Sequence, residues 1–115
     1  AASDVYKRQV FYSAKSAFVH KPAAVISSSR RAGSVTSMDV LNKHLSISEM
    51  PIVTSNYWNE VHGHTPSDVE QDREGLDTMY ALGKNMALML KCIEAGKKAG
   101  IEVPQNKKRT TNFIR

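Results

Sequence analysis

KPAAVISSSRRAGSVTSMDVLNKHLSISEMPIVTSN, residues 21–56, is the stretch on which the fold turns. It holds two apolar runs without polar alternation, Ala23–Ile26 and Met50–Thr54, each beside or across a proline. Runs of this kind fit strands covered on both faces. Between them Thr36 and Asp39 have the spacing of a helix capping box, and Met38, Leu41 and Leu45 follow at helical intervals. Two apolar strands joined by one helix predict a parallel, right-handed strand–helix–strand unit.

Downstream, Thr65 is the expected cap of the longest helix, Pro66 fits its first position, and Asp68 stands three residues after the cap. Leu76, Met79, Gly83, Met86, Leu90 and Ile93 then recur in steps of three and four, and Glu94, Lys97 and Lys98 close the run before Gly100. This predicts an amphipathic helix of about six turns whose apolar side covers a sheet or a partner subunit. Upstream, residues 1–9, AASDVYKRQ, carry neither a helical nor a strand period and read as a non-native leader, leaving residues 10–115 as the protein proper. Two parallel strands with their helices hide too little apolar area to stand alone. The expectation is therefore the C-terminal part of a single domain.

At 115 residues, 41% hydrophobic and 23% charged, the chain has the composition of one ordinary globular domain and not of a disordered tail. The net charge of +5 is dispersed: seven Lys and Arg stand against four Asp and Glu in residues 1–66, and nine against seven in residues 67–115. The densest basic cluster is Lys107, Lys108 and Arg109, so no nucleic-acid partner is expected. A single cysteine, Cys92, admits no intrachain disulfide and points to a reducing cytoplasm. No apolar run approaches the roughly 20 residues that span a bilayer, and the N-terminus lacks the succession of a secretory signal. The chain is expected to be soluble and cytoplasmic, without a membrane partner.

Two stretches concentrate chemistry. VISSSRRAGS, residues 25–34, follows the first strand, where open α/β sheets hold ligands. Its serines and backbone N–H groups suit an anion or the polar edge of an aromatic cofactor, and equally suit a solvated loop capping the next helix. SNYWNEVHGHTP, residues 55–66, gathers the only tryptophan with Tyr57, Asn56 and Asn59. It reads as a binding loop, or as a place where Trp58 and Tyr57 plug the gap between sheet and helix. His62 and His64 have neither a cysteine nor an assigned carboxylate beside them, which argues against a metal site. Cys92, Met79, Met86 and Met89 read as packing or subunit-contact residues. No dinucleotide, triphosphate or serine-hydrolase motif occurs.

In their order, KPAAVISSSRRAGS, DVLNKHLSISEMPIVTSNYWNEVHGHTP, QDREGLDTMYALGKNMALMLKCIEAGKKAGI and TNFIR resemble the C-terminal half of the flavodoxin-like, NADPH-dependent FMN reductase family, over residues 10–115. The resemblance implies an α/β fold with a three-layer parallel sheet in the order 2-1-3-4-5, here incomplete. Ala23–Ser27 would be its fourth strand, Pro51–Thr54 its fifth, the helix from Pro66 its last, and Val10–Phe18 the end of the helix after the third strand. It implies FMN-edge contacts from Ser28, Ser29, Arg30, Arg31, Ala32 and Gly33, with Arg30 or Arg31 alternatively meeting the phosphate of NADPH. Asn56, Tyr57 and Trp58 would wall the site, across the interface of a homodimer or homotetramer. The implied chemistry is hydride transfer from NAD(P)H to FMN and on to a small-molecule or protein acceptor, with no catalytic side chain. The FMN phosphate loop, and any iron–sulfur cluster of related flavoproteins, would belong to the missing N-terminal half. The chain alone is expected to be inactive, to bind FMN weakly and to self-associate. The alternatives are a non-enzymatic electron-transfer protein of the same fold and a cofactor-free interaction domain using the Met-rich helix face.

Overall fold

The computed structural model describes residues 2–113; Ala1 of the leader and Ile114 and Arg115 of the closing TNFIR lie outside the described residues. Both apolar runs begin the same way. His20 (φ 63) and Glu49 (φ 57) adopt left-handed backbone, each two residues before a proline. The His20 N–H donates to the Glu49 carbonyl at 3.0 Å, which ties the starts of the two runs together. From this baseline the runs set off in parallel: Ala23 N–H donates to Pro51 at 3.0 Å, and Val53 N–H to Ala23 at 2.8 Å.

The pairing expected along both runs is reduced to this one bridge, Ala23 with Ile52. The regular parallel ladder comes later, between β1 (Ser27–Ser29) and β2 (Glu60–His62), with Ser27 opposite Glu60, Ser28 opposite Val61 and Ser29 opposite His62. From bridge to ladder the first run advances four residues and the second eight, so the surplus leaves the sheet over residues 54–58. Ser55 Oγ tightens this excursion, donating to the Tyr57 carbonyl at 2.7 Å and accepting from the Tyr57 N–H at 3.3 Å. Asn59 brings the chain back: its carbonyl accepts from Ser27 N–H at 3.0 Å and its side chain donates to Val25 at 3.1 Å. Two expectations are thereby corrected. Ser28 and Ser29 belong to a strand instead of a loop, and a strand lies inside the stretch read as one long loop.

The crossover is α3, which follows the two N-terminal helices α1 (Ala2–Ser13) and α2 (Lys15–Phe18) and spans Ser34–Ile47. Met38 and Leu45 are buried on its inner side and Leu41 is half-buried, as their spacing predicts. Its start differs from the expected Thr36–Asp39 capping box: Gly33 (φ 95) is the cap, no side chain caps the helix, and Thr36 lies within it. At its other end Glu49 N–H bonds to Ser46 and Met50 N–H to Leu45, both at 3.1 Å, the paired closure of a Schellman motif with Glu49 in the left-handed position. The leader residues, expected to lack a period, continue the same helix as Val10–Ser13. That helix docks through Phe11, whose ring lies 4.8 Å from Phe18 and stacks at 6.0 Å on His44, while residues 5–10 are all exposed.

The single long helix expected from Pro66 is two, α4 (Pro66–Gln71) and α5 (Arg73–Lys98). Thr65 caps the first through a complete capping box with Asp68, as its sequence predicts. Asp72 breaks the run and caps the second, accepting from Gly75 N–H at 3.0 Å. Gly100 (φ 81) closes α5, with Gly100 N–H bonded to Lys97 and Ile101 N–H to Gly96. The buried residues of α5 are Gly75, Thr78 and Leu82, one position behind the predicted stripe, whose Gly83 and Leu90 face solvent.

Successive strand residues point to opposite faces, and this fixes the layers. The Glu60 side chain meets Ser34 of α3, while Val61 meets Gly75 of α5, so the two helices flank opposite faces of the sheet. The result is a mixed α/β arrangement around a two-stranded parallel sheet. Among the described residues, no helix is long and apolar enough to cross a membrane.

Candidate functional site

Both strands end beside the start of α3, and their register composes a side-chain cluster there. Ser29 lies directly opposite His62, and Glu60 is two residues before His62 on the same face. Ser29 Oγ stands 3.3 Å from His62 Nδ1, and His62 Nε2 stands 3.7 Å from Glu60 Oε1. The other oxygen of Glu60 accepts a hydrogen bond from the buried Ser34 hydroxyl at the head of α3. Glu60 is thus anchored under the helix, with only 13% of its side chain exposed, whereas the imidazole is open to solvent.

His62 is also held through its backbone. Its N–H donates to Asp72 Oδ2 at 2.7 Å, so Asp72 links the start of α5 to the end of β2. The N–H groups of Gly75 and then His62 hold the Asp72 carboxyl below its ordinary pKa. Asp68 repeats the device one turn earlier. Its Oδ2 accepts from Thr65 N–H at 2.9 Å and His64 N–H at 3.1 Å, and with the Thr65 hydroxyl these bonds lower its pKa as well.

Arg30, Arg31, Ala32 and Gly33 form the exposed turn from β1 into α3. Ser29 shares the face of α3 with Glu60 and His62, and Ser28 shares that of α5 with Val61, so the two serines do not meet on one surface. The second predicted group lies apart from residues 28–33, although Tyr57 also borders a small hollow with Glu60, His62 and Asp72. Asn56, Tyr57 and Trp58 line a cavity of about 420 Å³ bordered by Val35 and Met38 of α3 and by Val53. None of residues 28–33 lines it; the nearest in sequence is Val35, in the first turn of α3. Tyr57 and Trp58 are 59% and 57% exposed, which excludes their acting as plugs between sheet and helix. Asn42 and Asn59 also line the cavity, and their side-chain oxygens are buried without a hydrogen-bond partner among the described residues.

Sequence reasoning missed Glu60 and the link between Ser29 and His62. The i, i+2 spacing of Glu60 and His62 is the same-face spacing of a strand and was readable, but only the ladder brings Ser29 opposite them. Cys92 is exposed, not packed, at the edge of a hollow between α5 and residues 52–54. Among the described residues, no group of three or more His, Cys, Asp or Glu is arranged for a metal ion. Compared with protein-family models, curated proteins and solved structures, the chain matches none.

Proposed function

We propose that this chain is the C-terminal part of a flavodoxin-like, FMN-binding NAD(P)H-dependent oxidoreductase. The observation that carries the reading is the turn Arg30–Gly33, which leaves the carboxyl end of a parallel strand and opens the crossover helix. In open α/β sheets that is where a cofactor is met. The residues fit the group: a solvent-facing pair of aromatic rings beside a cavity of about 420 Å³ suits a flat ring system, and two exposed arginines suit an anionic phosphate. Bound flavin supplies hydride acceptance from NAD(P)H and delivery to an acceptor. The chain's own part is to hold the ring edge with the 28–33 backbone and to wall it with Asn56, Tyr57 and Trp58. Two separate groups, the turn and the cavity, would have to be joined by upstream strands of the same domain or by a partner subunit.

The test is NAD(P)H oxidation by the full-length protein to which this chain would belong, with FMN and a quinone or flavin acceptor. Turnover lost on Arg30→Ala with Arg31→Ala supports the reading. Bound FMN without turnover on either nicotinamide would leave the electron-carrier alternative, and a colourless protein that takes up no FMN rejects both.

A further inference from the structure

We propose that Ser29, His62 and Glu60 form a nucleophilic serine site for acyl transfer from a small ester, with Arg30 and Arg31 favouring one that carries negative charge. Three relations carry it. The Ser29 hydroxyl is 3.3 Å from His62 Nδ1; His62 Nε2 faces Glu60 Oε1 at 3.7 Å; and Ser34 fixes the second oxygen of Glu60. A nucleophile beside a base that a third group orients is the recurrent pattern of activated serine, recognised by roles and not by chain order. With the Nε2 proton turned to the Glu60 carboxylate, Nδ1 is left as an acceptor for the Ser29 proton. The 3.7 Å separation is long for a hydrogen bond, as such contacts often are without a substrate.

The placement agrees. Ser29 is the last residue of β1, followed by a tight turn through left-handed Gly33 into a helix that no side chain caps. Ser29 thus stands, half-buried, at the carboxyl rim where open α/β sheets meet ligands. In the reaction, Ser29 Oγ bonds to the ester carbonyl carbon while its proton passes to His62 Nδ1. The carbon–oxygen bond to the leaving alcohol then breaks and the alcohol takes that proton. Water, deprotonated by His62, then bonds to the acyl carbon; the bond to Ser29 Oγ breaks, the acid leaves, and His62 returns the proton to Ser29 Oγ. Glu60 is a positioning residue that stabilises the imidazolium. This site shares Ser29, Arg30 and Arg31 with the flavin reading but needs neither flavin nor nicotinamide, so its test on the chain without either cofactor fails or succeeds separately from that reading.

The experiment treats the 115-residue chain with a fluorophosphonate, maps the adduct by tandem mass spectrometry, and follows p-nitrophenyl acetate hydrolysis in parallel. Modification at Ser29 is expected, at a rate lowered by about 100-fold or more in His62→Gln and unchanged in Ser27→Ala. Glu60→Gln, with its circular dichroism retained, is expected to lower kcat for p-nitrophenyl acetate while leaving KM in place, and Glu60→Asp to recover part of the lost rate, as a residue that orients the imidazole requires. An unmodified chain, an adduct on another residue, or a Ser29 adduct formed equally fast in His62→Gln overturns the proposal. Mapping on the unaltered chain decides the matter even if a variant fails to fold.

Discussion

Asp68 and Asp72 each gather two backbone N–H groups, and both carboxyls are held below their ordinary pKa by those bonds. Glu49 is lowered too, chiefly by its hydrogen bond from Lys15 at 2.8 Å and then by Asn106. A carboxyl with a folded-state pKa below its unfolded value contributes its full stability above the unfolded value, and loses it as pH falls through the folded one. Stability should therefore fall off below about pH 4. In Asp68→Asn with Asp72→Asn that acid slope should flatten; denaturant melts between neutral and acid pH are the measurement, and an unchanged slope would contradict the assignment. Residue by residue, legibility followed locality. Thr65, Pro66 and Asp68 announce a cap because all its partners lie within four residues. Thr36 and Asp39 have the same pattern but form no cap, because Gly33 and the bond from Ser34 to distant Glu60 start the helix earlier.

At the scale of the element, the predicted stripe of α5 flanks the centre of its contact face: Leu76, Met79, Met86 and Ile93 are half-buried, and Gly83 and Leu90 are exposed. Its contact face is built on Gly75, Thr78 and Leu82, and two of these do not register as apolar. Crowding selects small residues there: a Cβ on Gly75 would meet the Asp72 carboxyl that caps the helix, and would stand 2.9 Å from Val61 Cγ1 of β2. Thr78 is tolerated at 3% exposure because its hydroxyl donates to the Glu74 carbonyl at 2.9 Å. Gly75→Ala should accordingly destabilise the chain by about 1–3 kcal/mol. Gly83→Ala meets open space and should stabilise it by up to about 1 kcal/mol through helix propensity. Chemical denaturation of both variants is the check, and equal effects would mean that the helix face has been misassigned. The ladder was the least legible element, since Ser27–Ser29 offers none of the β-branched or aromatic residues by which strands are recognised. It forms because Asn59 and the Ala23–Ile52 bridge hold it from below.

For the whole molecule, the radius of gyration of 17.3 Å exceeds the roughly 13 Å of a compact domain of this length. Only Met38, Leu45, Val53 and Leu82 are buried hydrophobic residues among those described. Odd-numbered residues of the first run direct their backbone groups toward the second, so those of Ala24, Ile26 and Ser28 face away, and no described strand takes them. Ile26 is 61% exposed on that edge. Such an edge invites strand pairing. The chain should associate with rising concentration in sedimentation velocity, and Ile26→Lys should shift it toward monomer; a wild-type monomer at every concentration would refute the open edge. The small core was the most legible global property, because a count of strands against helix length needs no coordinates.

The excursion at residues 54–58 is pinned at both ends by backbone bonds that do not depend on its interior: Val53 to Ala23 before it, and Ser27 to Asn59 after it. Its length is therefore uncoupled from strand register. Closing a longer loop across the same span costs only about 0.6 kcal/mol per doubling. Tyr57 and Trp58 thus occupy a segment where insertions and exchanges alter what the cavity wall presents while leaving the ladder in place.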